Sequence, residues 1–200
     1  VAEKLAEQFP RAKLHPAVLD WAEASGRRTT WAIAFSGGAD SLALLLLVWA
    51  HWPERRSRLL GLHFNHRLRG RAAAADERYC ERVCAALGIK FVAGRWSGVR
   101  KKSSEAEARA ARFAFFLKTL SSRSTSALWL GHQQDDIAET MLMRLARGSG
   151  SGGLGAPRPV QQLGGGRVHL RPLLTVKKTE IVRALRCVEA RLARGRLERR

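Results

Sequence analysis

Apolar and polar positions follow two rhythms along this chain. From residue 29 onward, short apolar runs alternate with longer stretches in which apolar residues recur every three to four positions. Thr30–Phe35 (TWAIAF), Leu59–Phe64 (LLGLHF), Ile89–Ala93, Ala127–Gly131 (ALWLG) and Arg167–Leu174 (RVHLRPLL) predict strands. Ser41–His51, Ala75–Leu87, Ser104–Leu120 and Asp136–Ala146 predict helices. So does a segment from Glu180 with Ile181, Leu185, Val188 and Leu192 at helical spacing. Strands alternating regularly with helices predict the α/β class: a doubly wound parallel sheet between helical layers, Rossmann-like and three-layered. The expected organisation is one domain over 29–176, preceded by a helical segment at 1–28 and followed by a C-terminal helix and Arg-rich tail at 177–200. The glycine-rich stretch from Gly148 to Gly166 interrupts the rhythm and reads either as a linker or as a cover for a site.

Sheets of this kind bind ligands beyond the carboxyl ends of their strands. Three predicted strand ends lead into polar or glycine-rich segments: SGGADS after Phe35, NHRLRG after Phe64 and GHQQDD after Leu130. In Ser36-Gly37-Gly38-Ala39-Asp40-Ser41, the turn into a helix offers free backbone N–H groups and a helix dipole to an anion. Gly37 and Gly38 allow close approach of the main chain, and Ser36 and Ser41 can add hydroxyls. Asp40 would repel a phosphate unless a cation intervened. It therefore suggests Mg²⁺ bridging to a polyphosphate, although an aspartate at a helix start also serves as a cap. The spacing is neither the Walker loop nor the dinucleotide fingerprint.

His132, Asp136 and Glu139 would share one face as the fourth strand passes into its helix. An imidazole and two carboxylates there could hold a second cation or an ammonium, or accept a proton; an Asp136–Glu139 capping box is the plainer alternative. Arg109 and Arg112, one turn apart on a predicted helix with Glu107, could neutralise phosphate charge or be a solvated face. His63 could face a nucleotide or simply pack. Cys80 and Cys84 read as core, Trp49, Trp52 and Trp129 as packing, and Trp96 as either packing or a base-stacking surface.

Charge narrows the partners. Lys and Arg total 36 against 17 Asp and Glu, a formal charge of +19, and an Arg-rich excess favours nucleic acid over other acidic partners. The three cysteines lack any C-x-x-C pair, which argues against a disulfide framework or zinc ribbon and favours a reducing cytoplasm. The longest apolar run, Leu42–Ala50, falls well short of the roughly 20 residues that span a bilayer.

SGGADS matches the S-G-G-x-D-S signature of the PP-loop superfamily, whose members cleave ATP to AMP and pyrophosphate. SGGADS, GLHFNHRLRG, EAEARAARFAFF, GHQQDDIAETMLMRLARGSGSGGL and RPLL, in that order between about residues 30 and 183, together resemble the tRNA(Ile)-lysidine synthase family. That resemblance implies a PP-loop catalytic domain at 29–176 that uses ATP to adenylate the wobble cytidine of a CAU-anticodon isoleucine tRNA, after which lysine displaces AMP. It implies that residues Ser36, Gly37, Gly38, Ala39, Asp40 and Ser41 hold ATP, with His63, Arg109, Arg112 and His132 around the nucleotide. Asp40 and Asp136 would attend Mg²⁺, and Asp40, Arg112, Asp136 and Glu139 would be catalytic. Arg147 and the glycine stretch would cover the site. The implied partners are an isoleucine tRNA, free lysine and ATP, in the cytoplasm and without a membrane, with homodimerisation left open. A sulfur-inserting PP-loop enzyme and a non-catalytic tRNA-binding module are the alternatives. The Arg-rich CVEARLARGRLERR at 187–200 departs from the family's usual acidic continuation, as a fragment, a frameshifted end or a minimal form would.

Overall fold

The computed structural model describes residues 1–67, 70–98, 104–146 and 156–190. Two N-terminal helices, α1 (Ala2–Gln8) and α2 (Pro16–Ala24), precede β1 (Trp31–Ala34) and α3 (Ala39–His51). There follow β2 (Leu59–Asn65), α4 (Arg71–Ala86), β3 (Lys90–Arg95), α5 (Glu105–Ser122), β4 (Ala127–Trp129) and α6 (Gln134–Ala146). A hairpin of β5 (Val160–Leu163) and β6 (Arg167–Leu170) leads to α7 (Lys178–Cys187).

The six strands form one sheet in the order β3-β2-β1-β4-β6-β5, parallel throughout except for β5, which runs antiparallel to β6. Alternation along each strand divides the core. Trp31, Ile33, Leu59, Ala127, Trp129, Val168 and Leu170 pack with α1, α2, α3 and α7 on one face. Ala32, Leu60, Leu62, Leu128 and Leu130 meet Phe116 and Leu120 of α5 on the other. Leu42 through Val48 of α3 are all buried, as expected of a helix that is apolar all round and enclosed on every side. Trp31, Trp52 and Trp129 form an aromatic cluster with centroids 4.7 to 5.5 Å apart, so their role is packing. Residues of α1, α2 and α7, including Leu5, Val18, Ile181 and Leu185, join the core of the sheet's first face. The three stretches distinguished in the sequence therefore share one core.

One element differs from expectation. Val160–Leu163 lies within the stretch read as a glycine-rich loop, yet forms an edge strand closed by a turn in which Gly165 and Gly166 take φ of 72° and 69°. The glycines mark the hairpin turn and not an open loop, because only residues tolerant of positive φ reverse the chain that tightly. Residues 147–155 of the expected cover, Arg147 included, and the Arg-rich end at 191–200 lie outside the described residues.

Candidate active site

The strand order reverses between β1 and β4: from β1 the chain winds outward through β2 and β3, then returns to place β4 on the other side of β1. The carboxyl ends of these neighbours open a crevice, the usual ligand position in open α/β sheets. SGGADS stands on one side of it and GHQQDD on the other.

Gly37 is buried with φ 84°, a left-handed conformation that a residue with a side chain adopts only under strain, and Gly38 caps α3. The first helical bond runs from Leu42 N to Gly38 O at 2.9 Å, so the N–H groups of Ala39, Asp40 and Ser41 remain free of intrahelical acceptors and point, with the positive end of the dipole, out of the turn. Ser41 departs from the role expected of it. It is 8% exposed; its Oγ donates to Gly38 O (3.1 Å) and accepts from Ser36 N (3.2 Å). With its single proton spent, Ser41 braces the turn, whereas Ser36, exposed and 3.0 Å from Ser41 Oγ, keeps a hydroxyl that can swing to a ligand.

Beyond β4, Gly131 presses on the first turn of α3. A Cβ at this position would lie 3.0 Å from Asp40 O and 3.2 Å from Ser41 Cα, so only glycine lets the two strand ends approach this closely. Gln133 then caps α6: its Oε1 accepts from Asp135 N (2.6 Å), and Asp136 Oδ2 accepts from Gln133 N (2.8 Å). This reciprocal pair plays the part of a capping box, set three residues earlier than the Asp136–Glu139 alternative. It leaves the other oxygen of Asp136 for the crevice.

Asp40 and Asp136 are thereby neighbours. Burial, reinforced by the charges of Asp136 and Asp135, raises the Asp40 carboxyl to a pKa of about 6, against an opposing pull from Lys178. Its Oδ1 is buried without a hydrogen-bond partner. An orphaned carboxylate oxygen beside a second carboxylate and a phosphate-binding turn fits a hard divalent cation. Among the described residues no cluster of three or more His, Cys, Asp or Glu side chains could hold a metal alone, but Mg²⁺ commonly takes one or two carboxylates and completes its shell from substrate phosphates and water.

The opposite wall is cationic. Arg109 and Arg112 lie over the Phe113 ring at 5.2 and 5.6 Å, and with Arg171 they act on His132. Burial and Arg171 first, opposed by Asp136, push the His132 pKa down to about 4. Burial, then Arg109, also lowers the pKa values of Arg112 and Arg171. Three guanidinium groups that act on one imidazole, with only the charge of Glu105 opposing at Arg112 and no ion pair to any of them among the described residues, favour an anion between them.

The structure thus brings together Asp40, Asp136, His132, Arg109 and Arg112. Glu139 stands exposed a turn further along α6. His63 is 4% exposed with Nδ1 2.9 Å from Phe35 O, and burial lowers its pKa; it supports the strand end beneath the phosphate turn and does not line an open nucleotide edge. Lys178 and Arg171 were missed by the sequence reading. Two adjacent lysines at a helix start, where the dipole disfavours cations, were the available signal for Lys178; Arg171 opens the RPLL segment without other distinction. Further along the same edge, a concavity of about 490 Å³ over the ends of β2 and β3 is lined by Asn65, Arg67, Glu77 and Arg95, among others. There Arg95 forms a 2.7 Å ion pair with Glu77, which also accepts from Asn65 at 2.7 Å.

Residues 12–193 match a family described as the PP-loop domain. Over 149 residues the chain is 40% identical to the tRNA(Ile)-lysidine synthase of Legionella pneumophila (strain Paris), covering 74% of this chain and 33% of the relative. Over 172 residues it is 40% identical to the tRNA(Ile)-lysidine synthase of Pseudomonas syringae pv. tomato, covering 85% and 37%. The chain spans about a third of the length of the curated relatives it matches. Among solved structures, a U34-tRNA thiolase from Methanococcus maripaludis aligns with a TM-score of 0.67 over 96% of this chain and 63% of its own. An NH3-dependent NAD synthetase from Campylobacter jejuni aligns at 0.53 over 94% and 74%. Both are 16% identical, a likeness of fold alone.

Proposed function

This chain belongs to the PP-loop domain family, and from that premise we propose that it carries the ATP-dependent chemistry of lysidine synthesis on an isoleucine tRNA. The observation that carries the reading is the buried, unpartnered Oδ1 of Asp40 set beside Asp136 and faced by arginines: one pocket suited to metal-bound polyphosphate and to an amine.

The wobble cytosine presents an amide-like carbonyl with no leaving group. Its O2 attacks the α-phosphorus of ATP, the bond to the β-phosphate breaks, and pyrophosphate departs. The backbone N–H groups of residues 39–41 and the Ser36 hydroxyl bind the phosphates, while Arg109, Arg112 and Lys178 offset the negative charge that grows on the departing group. Asp40 and the free oxygen of Asp136 would hold Mg²⁺, which when bound draws charge from the phosphate oxygens. The amine of lysine then attacks C2, the C2–O bond breaks, AMP leaves, and the carboxylate of Glu139, which neither caps α6 nor holds the cation, takes the amine proton. The basic surface supplies sequence-independent attraction for tRNA.

Sulfur insertion, the reaction for which the thiolase neighbour is named, is disfavoured by the absence of a paired reactive thiol among the described residues. Cys80 and Cys84 are fully buried, and burial raises both thiols, Cys84 to about 12, so neither offers a thiolate near neutral pH; Cys187 is exposed but has no C-x-x-C partner in the sequence. The test is incubation of the full chain with ATP, lysine and CAU-anticodon tRNA, followed by mass analysis of the wobble nucleoside. The expected product carries the mass of lysine less one water; a sulfur-bearing nucleoside, or unmodified cytidine with fresh tRNA, refutes the proposal.

A further inference from the structure

Among the hydrogen bonds of the crevice, the one between Arg171 and His132 has a direction that chemistry dictates. Arg171 Nε lies 3.1 Å from His132 Nδ1. A guanidinium N–H can only donate, and arginine stays protonated across the accessible pH range, so Nδ1 must present its lone pair. An imidazolium would set a second N–H against the first, with two positive charges at hydrogen-bond distance.

Arg171 is fixed in turn. It is 6% exposed, and one N–H of each terminal nitrogen donates, Nη1 to Arg158 O (2.8 Å) and Nη2 to Gln161 Oε1 (2.9 Å). Its planar fork is therefore held by β5 and the segment before it, and among the described residues no carboxylate forms an ion pair with it. Burial and the neighbouring guanidinium groups of Arg171, Arg109 and Arg112 outweigh Asp136 in keeping the ring uncharged.

We infer that Arg171 is a positioning residue that locks His132 as its neutral Nε2–H tautomer, so that His132 serves the reaction as a hydrogen-bond donor to an anionic oxygen and never as the base for the incoming amine. The donor role rests on the proposed function; the tautomer does not. With Nδ1 engaged and Nε2 protonated, the imidazole has no lone pair for the proton that the amine loses, and the duty passes to a carboxylate. The acceptor we assign to the Nε2–H is an oxygen of the nucleotide phosphate, the anion that Arg109 and Arg112 also face in the proposed reaction.

Long-range proton–nitrogen correlation on the full chain with ¹⁵N-labelled histidine should show His132 at pH 7 with protonated Nε2 and bare, hydrogen-bonded Nδ1. Arg171→Gln, whose amide can still donate to Nδ1, should keep this pattern. Arg171→Leu should release the ring to a mixture of tautomers; if that variant fails to fold, the unaltered chain and Arg171→Gln suffice. In turnover assays, His132→Gln, which sets an amide N–H near the Nε2 position, should lose no more than about tenfold, the size of one weakened hydrogen bond. His132→Ala should lose about 100-fold or more. A protonated Nδ1, an imidazolium at pH 7, or a His132→Gln chain as inactive as His132→Ala overturns the inference. Absence of lysidine with the unaltered chain would instead remove the functional reading, and the nitrogen spectrum would still decide the tautomer.

Discussion

With one oxygen buried and unpartnered and two more carboxylates nearby, Asp40 keeps its proton up to about pH 6, against 3.8 for an ordinary aspartate. A folded-state pKa raised above the unfolded one means a contribution to stability that is complete below about pH 3.8 and lost as the pH climbs through 6. The ligand-free protein is therefore destabilised on the alkaline side, by an amount on the order of 3 kcal/mol at most, since Asp40 keeps some contact with solvent. Asp40→Asn should melt above the unaltered chain at pH 8, with the gap closing by pH 4. Mg²⁺ should raise the melting temperature of the unaltered chain alone. Parallel melting curves across that range would contradict this account, and the same variant should lose pyrophosphate release. Gly131 gives a second test at this scale, because the atoms an added Cβ would meet belong to the backbone of Asp40 and Ser41 and cannot rotate aside. Gly131→Ala should cost about 1–3 kcal/mol in urea unfolding and weaken ATP binding by calorimetry, as β4 and α3 are pushed apart.

Helix caps tie local sequence to the site. In α5, Ser104 and Glu107 form a full capping box, and the next turn carries Arg109 and Arg112. Ser104→Ala should lower unfolding stability by about 1 kcal/mol without touching the crevice chemistry directly. In α6, Asp136 combines a cap with a proposed catalytic task, and two substitutions separate them. Asp136→Asn keeps an oxygen for Gln133 N, so it should stay within about 0.5 kcal/mol of the original stability yet lose turnover. Asp136→Ala should lose turnover and about 1 kcal/mol together. Equal stability of the two variants in chemical unfolding would mean that the cap bond contributes nothing. Helices were legible to within a few residues because their apolar stripes are local, whereas the cap of α6 sits three residues before the one the sequence offered. Strand β5 was not, since Val-Gln-Gln-Leu has little apolar contrast and becomes a strand only by pairing with β6.

At the scale of the whole molecule, a net charge of +19 makes association with RNA a matter of ionic strength. If four to six phosphates are contacted, tRNA affinity by fluorescence anisotropy should fall about 10²- to 10³-fold between 50 and 200 mM salt; a flat response would exclude the basic surface as the docking face. No helix among the described residues is long and apolar enough to cross a membrane. What the sequence by itself determined is what periodicity and local turn chemistry settle over a few residues: strand–helix alternation, the glycine turn into a helix at residues 36–41, and Asp40, Asp136 and the two arginines of α5 as candidates. Only the tertiary structure decided that β4 lies against β1, that Gly131 sets Asp136 beside Asp40, that His63 is buried beneath the turn, and that Arg171 and Lys178 reach the same crevice. The physical reason is separation along the chain: these groups meet because two helical layers close over one sheet, and their encounter depends on that packing and not on any neighbour in sequence.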